Sequence, residues 1–134
     1  VQGEHVRKVS DFARSPDPTA TLKEYFKREI DRATAAGIQA IWIDPGLGFY
    51  YRNLQDSAGR IRYQAETFLQ SFRLRTLGWP VCHALPHAFE FFQEEVRSAE
   101  AFFAVLAILG KTDLLRTHEI PKVRAVVRTL RVLG

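Results

Sequence analysis

Four stretches with apolar residues at three- and four-residue spacing alternate with three short runs rich in β-branched residues, and Gly or Pro stands at most junctions. The order reads helix, strand, helix, strand, helix, strand, helix. Strands alternating with helices of this size predict parallel βαβ units, an α/β fold. The first helix is expected over 19–36, with Leu22, Tyr25, Phe26, Ile30 and Ala33 on one face. Thr19 or Thr21 is its expected cap, and Gly37 stands where a C′ glycine belongs. The run Ile38–Ile43 reads as a buried strand ending at Asp44, broken by Pro45, Gly46 and Gly48.

A second helix is expected over 57–76, with Ile61, Ala65, Phe68, Leu69 and Phe72 as its stripe and Gly78 as its stop. Pro80–Leu85 reads as the second strand, closed by Pro86. A long helical region then runs to Leu109, with a break near Ser98 and with Phe91, Phe92, Val96, Phe103, Leu106 and Leu109 in phase. Gly110 stops it, Asp113–Thr117 reads as the third strand, and a last helix begins with Pro121 in its first turn. That helix turns Val123, Val126, Val127 and Leu130 inward. Arg14–Thr19, with two prolines, is the one linker-like stretch.

The composition narrows the function classes. At 134 residues the chain suits one domain, and 46% hydrophobic positions suffice for a packed core. The single Cys excludes an internal disulfide framework and a Cys-rich zinc site, and fits a reducing compartment. No apolar run approaches the ~18 residues of a membrane span. The net charge of +4 comes from spaced Lys and Arg interleaved with acids, as in Glu94, Glu95, Arg97 and Glu100. That pattern lacks the concentrated basic face of a nucleic-acid binder. A chain opening Val1-Gln2-Gly3 without Met reads as a processed or excised piece of something longer.

In parallel α/β folds ligands meet the C-terminal ends of the strands. Three places qualify: 44–49, 85–87 and 116–119. Asp44, held between a strand end and a Pro-Gly turn, can accept two parallel N–H bonds from a flat ligand or simply cap its turn. Arg116 and His118 lie two apart, so period-two geometry turns both to one face. Arg offers a planar cation that stacks on a ring and forks onto an oxyanion, unless it pairs with Asp113 or Glu119. The start of the next helix, 119–122, also favours an anion. His83 and His87 flank Pro86 and read better as core and loop histidines than as metal ligands. Cys82 reads as a small core residue. Tyr50, Tyr51 and Arg52 could form an aromatic lid or pack plainly. His5, Arg7 and Lys8 read as solvated.

Asp44-Pro-Gly-Leu-Gly-Phe49 and Leu115-Arg116-Thr117-His118-Glu119 resemble motifs of the dihydropteroate synthase family, pterin-binding folate enzymes built as (β/α)8 barrels. Asn53-Leu54, Leu77-Gly78-Trp79-Pro80-Val81 and Gly3 also match that family's pattern. The resemblance covers residues 1–134 as one domain, the C-terminal half of a TIM barrel whose N-terminal half is not in this chain. It implies that Asp44, Gly46, Gly48 and Phe49 bind the pterin, that Arg116 stacks on it, and that Arg116 with His118 binds pyrophosphate. The implied reaction joins dihydropterin-methyl pyrophosphate to p-aminobenzoate or a related amine, with Mg2+ as cofactor held outside this chain.

The resemblance implies a cytoplasmic transferase of folate biosynthesis. The family's Ser-Arg-Lys at the seventh strand is replaced by Leu85-Pro86-His87-Ala88-Phe89, with His87 a partial substitute for the Lys. The Lys usual after the glycine loop is absent too, with Tyr51 or Arg52 in its place. The pterin anchors therefore survive better than the second-substrate residues, and the chain alone is expected to be inactive. A non-catalytic pterin-binding module, a half-barrel assembly subunit and a methyltetrahydrofolate-dependent methyltransferase are the competing readings. Open strand edges imply a partner, either the N-terminal half of the same barrel or a second copy. Neither a nucleic acid nor a membrane is an expected partner.

Overall fold

The structure, a computed structural model, describes residues 15–47, 57–86 and 89–133. Within them lie α1 (Pro18–Ala35), α2 (Ser57–Leu69), α3 (Phe72–Arg75), β1 (Cys82–Ala84), α4 (Phe89–Phe92), α5 (Val96–Leu109), β2 (Leu114–Arg116) and α6 (Ile120–Arg131). It is a mixed α/β fold, mostly helical, around a small parallel sheet. No helix among the described residues is long and apolar enough to cross a membrane.

Asp17, not Thr19 or Thr21, caps α1: its carboxylate accepts the Ala20 N–H at 3.0 Å, and Pro18 follows at the first helical position. Thr19 is instead buried. Gly37 closes the helix at φ +86°, a left-handed conformation that glycine adopts without a Cβ clash. Arg73 forks onto Asp17 at 2.9 and 2.7 Å and so ties α3 to the start of α1. The hydrogen bonds from Arg73 hold the Asp17 carboxyl below the usual carboxylate range.

β1 and β2 pair in parallel, with Cys82 opposite Leu114 and Ala84 opposite Arg116. The expected strand over 38–43 contributes only Ile43, in a single parallel bridge to Val81. Its N–H bonds the Pro80 carbonyl at 2.9 Å, and its carbonyl accepts the Cys82 N–H at 2.8 Å. Ile38 and Trp42 are 50% and 56% exposed, so this run is not the buried strand its composition predicts. Among the described residues no further strand lies on its outer side, so nothing there covers those side chains. β1 therefore sits in the middle, between the Ile43 segment and β2.

Two other long elements break. The helix expected over 57–76 divides at Gln70–Ser71, where the Ser71 hydroxyl turns back to the Thr67 carbonyl at 2.9 Å. Such back-bonding bends helices. Leu69 and Phe72 consequently face out, at 41% and 51% exposure. The region before α5 breaks at Gln93, a non-glycine residue at φ +45° followed by a 3-10 turn, rather than near Ser98. Phe91 and Leu109, expected inward, are exposed.

The main core joins Leu47, Tyr63, Phe68, Leu85, Phe103, Ala104, Ala107 and Val123, and a smaller one joins Leu22, Ile43, Leu74 and Val81. Phe68 lies against Phe103 at 5.4 Å between ring centroids, and the His83 ring lies 4.5 Å away on another side. His83 is fully buried on β1, with Nε2 2.6 Å from the Ser71 Oγ. At Gly110 the end of α5 touches the end of α2 backbone to backbone. A Cβ there would lie 1.8 Å from the Phe68 carbonyl oxygen.

Candidate functional site

The C-terminal ends of the Ile43 segment, β1 and β2 form one rim, because all three run in the same direction. Asp44 leaves the first of them. One carboxylate oxygen, Oδ1, accepts the Gly46 N–H at 2.8 Å, closing a turn in which Gly46 sits at φ +70°. The loop is then drawn into the core by Leu47, which is fully buried and whose carbonyl accepts from Gln64 Nε2 at 2.7 Å. Asp44 thus stands on a short, doubly anchored turn. Gly48 and Phe49 lie outside the described residues.

Arg116 ends β2 and reaches back to Asp44, its Nη1 2.7 Å from Oδ2. Two expected candidates from opposite ends of the sequence pattern are therefore brought into direct contact. The alternative partners are engaged elsewhere. Asp113 pairs with Arg75 at 3.1 Å and accepts the Val81 N–H at 2.9 Å, while Glu119 meets Arg97 and Lys122. The Arg116 side chain is 58% exposed and that of Asp44 29%, so solvent screens the pair and it adds about 0–1 kcal/mol to stability. An exchangeable pair of this kind can release its carboxylate to an N–H edge and its guanidinium to a ring face or an oxyanion.

The His118 ring meets α5. Its Nδ1 lies 3.2 Å from Oε1 of Glu100, a side chain of α5 with no exposed surface. The other oxygen of Glu100 accepts the His118 N–H at 2.9 Å, the Glu119 N–H at 3.4 Å and the Thr117 hydroxyl. The start of α6, expected to favour an external anion, is thus met by a carboxylate of this chain. Burial pushes the Glu100 carboxyl up, but the hydrogen bonds from Thr117, His118 and Glu119 outweigh it, and the net shift is downward. Sequence reading passes over Glu100 as one more solvated acid. The signal was its spacing, three, four and seven residues before the buried Phe103, Ala104 and Ala107.

The remaining candidates separate. His83 turns inward to Ser71, and burial pulls its pKa down to about 3, so it is a neutral core histidine. Cys82 is a buried free thiol, its pKa raised by burial. Tyr50, Tyr51, Arg52, Asn53, Leu54, His87, Gly3, His5, Arg7 and Lys8 lie outside the described residues. Among the described residues no three His, Cys, Asp or Glu side chains gather as a metal site.

No family model matches the chain, and no curated protein does. Solved structures do. Dihydropteroate synthase from Stenotrophomonas maltophilia, with active-site-bound imidazole, superposes with a TM-score of 0.75 at 19% identity, covering 98% of this chain and 50% of that one. The enzyme from Thermus thermophilus in complex with 6HMPPP gives 0.71 at 19% identity over 95% and 51%. Its complex with 4-aminobenzoate gives 0.64 at 23% over 90% and 47%. The fold of this chain is therefore similar to part of the dihydropteroate synthase fold, and the chain spans about half the length of the structures it matches.

Proposed function

We propose that this chain forms the C-terminal half of a pterin-binding (β/α)8 barrel, in a transferase like dihydropteroate synthase. The Asp44–Arg116 contact across the rim, 2.7 Å long, carries this reading: it sets an acceptor and a planar cation within reach of one flat heterocycle. Asp44 would take the pterin's amino and ring N–H edge, with Gly46, Gly48 and Phe49 shaping the loop beside it. Arg116, displaced from Asp44 by that edge, would stack on the ring and meet the pyrophosphate together with His118. Such donors act by steadying the charge of a departing anion. The aromatic amine, p-aminobenzoate or a relative, would enter from the β1 side, where the sequence offers His87 in place of the family's Lys.

The N-terminal half of the barrel is the proposed partner, with a second copy as the alternative cover for the same edges. An apolar groove of about 530 Å³ supports this, running between the outer side of β2 and α6 and lined by Leu114, Leu115, Ile120, Val123 and Val127. Mg2+ belongs to the proposal as a group held outside this chain. Cytoplasmic residence goes with the folate-pathway reading.

A second reading has its own support. Leu85 and Pro86 are buried at the end of β1, and the Ser-Arg-Lys sequence of the resembled family is absent there. That favours a module that binds a pterin without joining it to an amine. Titrating the chain, together with an N-terminal half, with a pterin pyrophosphate should change the fluorescence of the exposed Trp42 or of Trp79. An unchanged signal, with calorimetry also silent, overturns both pterin readings and leaves an assembly role. Pyrophosphate release on adding p-aminobenzoate separates the transferase from the binder.

A further inference from the structure

We propose that Glu100 is a positioning residue for the rim, one that fixes the tautomer and seat of His118. The inference rests on the proposed reading only where it concerns a bound anion; the tautomer stands on geometry alone. A carboxylate with lowered proton affinity only accepts hydrogen bonds. Oε1 of Glu100 lies 3.2 Å from His118 Nδ1, so in the neutral ring the proton sits on Nδ1. Oε2 meanwhile takes the Thr117 hydroxyl and the backbone N–H of His118 and Glu119. One buried side chain on α5 therefore grips three consecutive residues where β2 passes into α6. The ring cannot swing without breaking that set.

The consequence is chemical. With Nδ1 bound inward, Nε2 is the ring nitrogen directed away from the buried carboxylate, and the His118 side chain is 68% exposed. In the neutral ring so held, Nε2 is the nitrogen without the proton. To donate to a phosphate oxygen the ring must first gain a proton at Nε2, forming an imidazolium whose charge Glu100 balances from behind. Carboxylate–histidine pairs of this geometry set ring orientation and proton position wherever they occur.

The test is the long-range 15N–1H spectrum of labelled protein, with His118 assigned by its loss in His118→Asn. The wild type should show its neutral form protonated at Nδ1. In Glu100→Gln the amide oxygen can still accept from Thr117, His118 and Glu119, which turns the amide NH2 toward Nδ1. The neutral form should then switch to Nε2–H. A wild-type ring protonated at Nε2 overturns the proposal even if the variant fails to fold, and so does a variant whose tautomer stays at Nδ1. Inorganic pyrophosphate, titrated by calorimetry, should bind Glu100→Gln at least tenfold more weakly than wild type. If the tautomer switches while pyrophosphate affinity stays level, the positioning role stands and the anion-contact reading of His118 fails.

Discussion

Asp44 divides its two oxygens between the backbone it stands on and Arg116: Oδ1 takes the Gly46 N–H at 2.8 Å, and Oδ2 takes Nη1 of a residue 72 positions later at 2.7 Å. The first bond orients the carboxylate and the second ties it to the end of β2. Asp44→Asn keeps an oxygen for Gly46 but loses the charge. It should change stability by no more than about 1 kcal/mol in urea unfolding, while weakening pterin binding by at least ~1.5 kcal/mol in calorimetry. Unchanged affinity would falsify the role given to Asp44.

His83 sets the behaviour in mild acid. Burial lowers its pKa to about 3 in the folded chain, against the ordinary 6.5. Below 6.5 the unfolded chain takes up a proton that the folded chain refuses. Stability is therefore fully present above 6.5 and drains away as the pH falls toward 3. The whole window is on the order of 4–5 kcal/mol. Urea midpoints measured from pH 7 to pH 4 should fall steadily, and His83→Gln should flatten that slope. A wild-type midpoint that holds steady over this range would contradict a neutral buried ring.

Glu100 governs a lower window. Its folded-state pKa lies below the ordinary 4.5, because the bonds from Thr117, His118 and Glu119 outweigh its burial. Its contribution is present above 4.5 and lost as the pH falls through the folded value. Glu100→Gln should flatten the stability curve below about pH 4.5 and leave the slope between 6.5 and 4.5 in place. Glu100→Ala, which takes the acceptor from the His118 N–H and the Thr117 hydroxyl while Glu119 N–H keeps the Thr117 oxygen, should cost on the order of 2 kcal/mol at pH 7.

Gly110 runs against helix propensity. Its φ of −76° suits any residue, so Gly→Ala at such a position ordinarily stabilises by about 0.4–1 kcal/mol. Here the new methyl would meet the Phe68 carbonyl oxygen at 1.8 Å. Gly110→Ala should therefore destabilise, by about 1–3 kcal/mol in thermal unfolding. A raised melting temperature would show that the two helix ends can part.

The pattern of the sequence carried the order of the helical regions and the last two strands, the glycine stops at 37 and 78, and the parallel direction of Cys82–Ala84 and Leu114–Arg116, because each rests on local periodicity and backbone freedom. It also brought Asp44 and Arg116 to one rim, since parallel strands end together. What it did not carry depends on partners distant in sequence. Ile38 and Trp42 read as buried because β-branched and aromatic residues usually are, and only the sheet order shows that among the described residues no strand lies beyond them. Ser71 reads as an ordinary helix position until His83 meets it. Glu100 reads as solvent-facing until the turn at 117–119 folds back over it. The turn just before the last helix, read as open to an external anion, carries a carboxylate of this chain.

The middle position of β1 has a last consequence. Asp44 and Arg116 spring from strands on either side of it, so their joined side chains arch across the end of the central strand. Strands lie about 4.8 Å apart, and the arch therefore spans roughly 10 Å. At the end of that central strand stand Leu85 and Pro86, both buried. Replacing either abutment would remove that link between the two outer strand ends.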